Sequence, residues 1–134
     1  MSTRAIIAVP TAKGYKTAWC WCDGFPDQLG KTLRTKFKTK ELVDELINHH
    51  SFEALRTKKE HEDFLDWKEK ENIHLADESF IELSNGCFLS MPSHTGKTVA
   101  GIGRYAFFRN IEDMLDQDLN YVYVFKDGKW VTYR

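Results

Sequence analysis

The sequence has no long apolar run. Nothing in it approaches the roughly 20 residues that a helix needs to span a bilayer, so a membrane partner is not expected. It has little excess charge either: the formal net charge is −1, and no global field demands nucleic acid or lipid. Three cysteines, an odd number, do not make a closed disulfide framework, and in a reducing compartment they stay thiols or bind metal. The opening MSTRAIIAVP is too short and too quickly polar for a signal peptide, which leads us to expect an intracellular chain. No internal repeat and no low-complexity linker divides the 134 residues, so one domain, 1–134, with one core is expected.

What is present suits a packed interior. Hydrophobic residues make up 42% and aromatics 13%, too many for a disordered chain. The near-zero charge hides an asymmetry. Residues 1–59 have a balance of +5, residues 60–118 of −8, and residues 119–134 of +2. Single charge runs are usually solvated faces. A polarised surface that engages a basic partner is the sharper reading.

The periodicity predicts an α+β fold, an antiparallel sheet built from hairpins with two or three helices packed on one face. Ala5 to Val9 and Tyr15 to Cys22 read as the first hairpin. Asp23-Gly24-Phe25-Pro26 breaks it, and Asp27 is placed to cap a helix with Leu29, Leu33 and Phe37 inward. Thr39 reads as the cap of the next helix, with Leu42, Val43, Leu46 and Ile47 on one face. Ser51 to Leu55 suggests another short helical turn. Thr57 to Glu71, with Phe64, Leu65 and Trp67 to dock it, reads as a mostly exposed helix or an ordered loop, and His61 and His74 as solvated. Ser79 to Pro92 is a second hairpin around Asn85-Gly86, since both residues of an Asn-Gly pair accept positive φ. Tyr105 to Phe108 suggests a strand and Asn110 to Leu115 a short helix. Tyr121, Tyr123 and Phe125 alternate toward the hairpin turn Asp127-Gly128 and its return strand Trp130 to Tyr133.

Two Gly-Lys-Thr triplets resemble a phosphate-binding loop without its spacing. Five residues separate Gly24 from Gly30-Lys31-Thr32 where four are needed, and Met91 stands where Gly96-Lys97-Thr98 needs its first glycine. Gly101-Ile102-Gly103 lacks a third glycine. No local signature joins a thiol to a base, and no catalytic residue is assigned.

Cys20 and Cys22 are the chemical candidates. On a strand they share a face, with Trp19 and Trp21 on the other, so two thiolates are available to one zinc ion. A structural site would take Cys20, Cys22, His50 and Cys87, with His94 or His49 as a rival to His50, and its binding free energy would become folding free energy. The competing interpretation is three buried thiols acting as small hydrophobes. The basic run Lys31, Arg34, Lys36, Lys38 and Lys40 supports an alternative function, a small zinc-stabilised nucleic-acid-binding module.

Three stretches together resemble a family of small phage and prophage proteins: Met1 to Ile7, Trp19 to Pro26 followed by Gly30-Lys31-Thr32-Leu33, and Tyr121 to Trp130. The family's Cys-His-Trp-Asp-Gly run is matched at Cys20, Asp23 and Gly24, and departed from at Trp21 and Cys22. His94 stands where the family has a histidine in its later loop. The resemblance implies a phage accessory protein of the anti-CRISPR type, a non-enzymatic inhibitor in the bacterial host cytoplasm. Its partner would be the host type II CRISPR-Cas effector nuclease, with no direct nucleic-acid contact, and it would hinder loading of target DNA. Such nucleases hold nucleic acid in basic channels. The docking residues would then be acidic: Glu60, Glu62, Asp63, Asp66 and Glu69, together with Glu112, Asp113 and Asp116.

Overall fold

The computed structural model describes residues 3–72, 79–91 and 107–134. Nine strands and four α-helices lie among these residues, and the fold is α+β. β1 (Ala5–Thr11) and β2 (Gly14–Cys20) form the first hairpin. β8 (Tyr121–Lys126) and β9 (Lys129–Tyr133) form the last, turning through Asp127 at φ 55° and Gly128 at φ 75°, the positive pair that matches strand twist. β8 does not stay at an edge. It lies parallel to β1, with Ala5 opposite Tyr121, so the large sheet is mixed and β1 is central. β1 is buried on both faces, as a central strand of apolar residues must be.

Helices cover both faces of that sheet. α1 (Lys31–Lys36) follows a helical turn at Pro26–Gly30 and, with α2 (Lys40–Ile47), packs Leu33, Phe37, Val43 and Leu46 against Ala5, Ile7, Cys20 and Tyr123. Asp27 lies inside the first of these turns, and Phe25 takes the cap position without a side-chain bond. The Thr39 hydroxyl caps α2 by accepting from Leu42 N–H at 3.3 Å. On the opposite face, α4 (Ile111–Leu115) buries Met114 against Ile6, Ala8, Trp19 and Val122.

The segment expected to be a helical turn at Ser51 to Leu55 is extended. β3 (Ser51–Phe52) pairs with Trp19 and Cys20, and β4 (Ala54–Arg56) joins a second, three-stranded sheet with β5 (Ser79–Glu82) and β6 (Phe88–Met91). Pairing at both ends overrides a local preference that few residues could set. Glu53 is the hinge between the sheets. Its carbonyl accepts from Cys22 N–H at 2.8 Å, and its N–H donates to the Ser90 carbonyl at 2.7 Å. β7 (Phe107–Phe108) pairs with the start of β2. The hairpin between β5 and β6 has only Gly86 at positive φ. Asn85 serves through its side chain, which accepts from Cys87 N–H and donates to the Lys36 carbonyl at 2.8 Å.

Candidate functional site

The 57–71 segment is the helix α3 (Lys58–Lys70). Thr57 and Glu60 close a capping box: the threonine hydroxyl accepts from Glu60 N–H at 3.2 Å, and the Glu60 carboxylate accepts from Thr57 N–H at 2.8 Å. His61, Phe64, Leu65 and Lys68 form the stripe that faces the small sheet, at the spacing one helix face requires. His61 is therefore not solvated. It is buried, stacked on the Phe88 ring at 4.0 Å and edge-on to Phe80 at 4.8 Å. Burial, and next the Arg56 cation, hold its imidazole below the usual histidine range. The Arg56 guanidinium lies 3.8 Å over the Phe64 ring, and the Lys68 ammonium stands 5.1 Å from the same ring. A charged helix is thus fixed by aromatic and cation–π packing rather than by an aliphatic stripe.

The outer face carries the predicted acids. Glu60, Glu62, Asp63, Asp66 and Glu69 are all exposed. Asp63 pairs with Lys59 at 3.2 Å, and Glu60 is engaged in the cap. Glu62, Asp66 and Glu69 make no salt bridge among the described residues. Trp67 lies at the edge of this face, its ring 6.3 Å from that of Phe64, and is 51% exposed. Trp67 is thus not among the residues that dock the helix, contrary to the expectation from its hydrophobicity. Its position, one residue off the His61–Phe64–Leu65–Lys68 stripe, was the signal that it points outward. Glu112, Asp113 and Asp116 are exposed as well, but on α4 and the residue after it, so the two acidic runs belong to helices packed on different sheets.

The cysteines are placed differently from one another. Cys20 is fully buried in the main core, its thiol directed at the carbonyls of Cys22 (3.2 Å) and Glu53 (3.9 Å), and burial pushes that thiol well up. Cys22 lies past the end of β2, half-buried, with its sulfur 3.6 Å from Glu53 Oε1. Cys87 sits in the β5–β6 loop, buried beside Lys36 and Glu60, its thiol pushed up to about 11 chiefly by burial. His50 follows α2 at φ 61°, with a buried Nδ1 that has no hydrogen-bond partner among the described residues. Among the described residues no three His, Cys, Asp or Glu side chains form a group that could hold a metal. Cys20, Cys22, His50 and Cys87 are thus not gathered into one ligand set. His49 lies beside His50 at the end of α2, and His74 and His94 lie outside the described residues.

The turn after β2 is tightly built. Asp23 has φ 58°, and a Cβ on Gly24 would stand 2.9 Å from the Thr3 carbonyl oxygen, so only glycine fits there. The Gly24 carbonyl accepts from the Tyr123 hydroxyl at 2.6 Å. The five basic residues Lys31, Arg34, Lys36, Lys38 and Lys40 are exposed along α1 and the start of α2, Lys40 paired with Asp44 at 2.9 Å. No described helix is long and apolar enough to cross a membrane. No family model, no curated protein and no solved structure matches this chain.

Proposed function

We propose that this protein acts by occupying the surface of another macromolecule, and that the outer face of α3 makes the contact. The observation that carries this reading is Trp67, half-exposed on a capped helix, with the exposed charges of Asp63, Asp66 and Lys70 on the same helix. A tryptophan inside a charged rim is the composition of an interface hot spot. The partner that fits is a protein surface with an apolar pocket edged by lysine and arginine. The resemblance to anti-CRISPR phage proteins supplies its class: the host type II RNA-guided nuclease, met in the bacterial cytoplasm, whose basic channels load DNA. No catalytic group is needed for such inhibition. Zinc enters this reading only as a structural rivet at Cys20 and Cys22. Elemental analysis finding one zinc per chain, lost in Cys22→Ser, supports it, and zinc-free protein leaves these thiols as packing groups.

Calorimetric titration into the guide-loaded nuclease tests the contact. Trp67→Ala is expected to weaken binding by about thirtyfold, the effect of losing a hot spot of about 2 kcal/mol. Its own thermal stability should stay within about 0.5 kcal/mol, as for other surface changes. Charge reversal at Glu62 and Asp66 should slow association and reduce its salt dependence. Absence of a complex at low ionic strength ends the nuclease reading.

A further inference from the structure

Two clefts meet at the first turn of α3, and they differ in charge. The first has a volume of about 310 Å³ and is walled by Lys36 from the end of α1, Lys58 and Lys59 from α3, and Asn85, Gly86 and Cys87 from the β5–β6 loop. The second, of about 300 Å³, opposes its lysines with the carboxylates of Asp27, Glu60 and Asp63. Among the described residues no carboxylate lines the first cleft. Lys36 and Lys58 belong to no salt bridge among the described residues, and Lys59 alone reaches an acid, Asp63.

The walls are fixed by packing. Asn85 fastens the loop to the end of α1, donating to the Lys36 carbonyl at 2.8 Å. Gly86 has nothing within 4 Å of the place a Cβ would occupy, so the loop side of the cleft is open. Cys87 also lines the cleft, and its thiol, pushed up to about 11 chiefly by burial, adds no negative charge to offset the lysines. Three lysines from two helices thus line one concave space, Lys59 already paired with Asp63, and an anion entering it meets Lys36 and Lys58, which make no salt bridge among the described residues.

We propose that this cleft is an anion site that takes a phosphate group, free or carried on a nucleic-acid strand. Lysine binds phosphate as a point charge without strict geometry, which suits three flexible ammonium groups. The site uses the first turn of α3 and α1, not the Trp67 face, so it stands whether or not the nuclease contact does.

Amide chemical shifts read by NMR test it, in two titrations at constant ionic strength: sodium pyrophosphate and a short oligothymidylate. Saturable shifts at Lys58, Lys59, Gly86 and Cys87 are expected in at least one of them. The tighter ligand identifies whether the phosphate is free or nucleic-acid-borne. Lys36→Gln and Lys58→Gln, both at exposed positions, should each weaken binding about two- to fivefold, the scale of one solvent-exposed charge pair. The proposal is overturned by shifts that sodium chloride reproduces equally. Failure of both ligands to saturate by about 10 mM, beyond the millimolar end of specific binding, overturns it too, as does saturation unchanged in the double variant.

Discussion

The large sheet and the small sheet are held by different chemistry. In the large one, Ala5 to Val9 of β1 are covered, by α1 and α2 on one face and α4 on the other, and the packed side chains are mostly aliphatic or aromatic, with Cys20 and Met114. In the small one, Ser79 and Glu82 of β5 are exposed, and the covering helix contributes His61, Phe64, Leu65 and Lys68. The large sheet rests mainly on apolar burial, with a few polar ties such as the Tyr123 hydroxyl to the Gly24 carbonyl. The small sheet joins the main core through Leu55, Leu83 and Leu89, but on its α3 side it uses rings, one imidazole and two cations, and leaves most of that helix in solvent. The candidate contact surface lies on that second unit, where less of the helix is committed to packing, and the anion cleft lies between α3 and the end of α1. Local opening free energies should differ accordingly, with α3 exchanging amide protons before β1 and β8.

The largest break in that comparison comes from removing a side chain where the two units join. Phe52 is fully buried, pairs with Cys20, and precedes the Glu53 hinge. Phe52→Ala should cost about 3–5 kcal/mol, the range for truncating a buried phenylalanine. Because the cavity borders both units, chemical denaturation should remain a single transition at a lower midpoint. Two transitions would show that the sheets unfold independently.

The same contrast sets what could be read from the residues. Alternation in Tyr121 to Phe125 and the Asp127-Gly128 turn place the last hairpin correctly, because a period-two pattern of aromatics and valines, here sent to opposite faces of the sheet, and a positive-φ pair are local signals. The α2 stripe and its Thr39 cap are local too. The parallel partnership of β1 with β8 joins residues more than a hundred positions apart, and no local pattern encodes it. Ser51 to Arg56 misleads because its extended form comes from strands β2 and β6, which precede and follow it at a distance. At the candidate surface the acids are legible as charges. The roles of His61 and Trp67 are not read from composition, since each is defined by which side of α3 meets the small sheet. The lysine cleft is less legible still: Lys36 and Lys58 come to line one space only in the folded chain, from two different helices.

A smaller perturbation sharpens the comparison by loosening the small unit alone. Thr57→Ala removes the hydroxyl that accepts from Glu60 N–H and leaves the reciprocal carboxylate bond without its partner geometry. The expected cost is about 1 kcal/mol, typical of an N-cap threonine. It should appear as roughly fivefold faster hydrogen exchange in the first turns of α3, with β1 and β8 amides unchanged when exchange is limited by local opening. Equal acceleration in both units would mean that α3 opens only with the whole molecule.

The finest effect is a pH dependence carried by His61. The ring lies between Phe88 and Phe80 of the small sheet, with Arg56 of β4 and Glu62 of its own helix as the charged groups that act on it. Burial and the Arg56 cation favour the neutral ring, so the folded-state pKa lies below the unfolded value of 6.5. The unfolded chain then binds more protons at mildly acidic pH. The contribution is fully present above pH 6.5, falls as pH drops through 6.5, and reaches its minimum once the folded-state ring is also protonated. In a urea series from neutral to acidic pH, the wild type should lose stability more steeply than His61→Phe, which keeps a flat ring against Phe88 and carries no titrating group. Parallel curves for the two proteins would mean that protonation leaves the stack intact, and that the small unit is held by Phe64, Leu65 and the two cations without the imidazole.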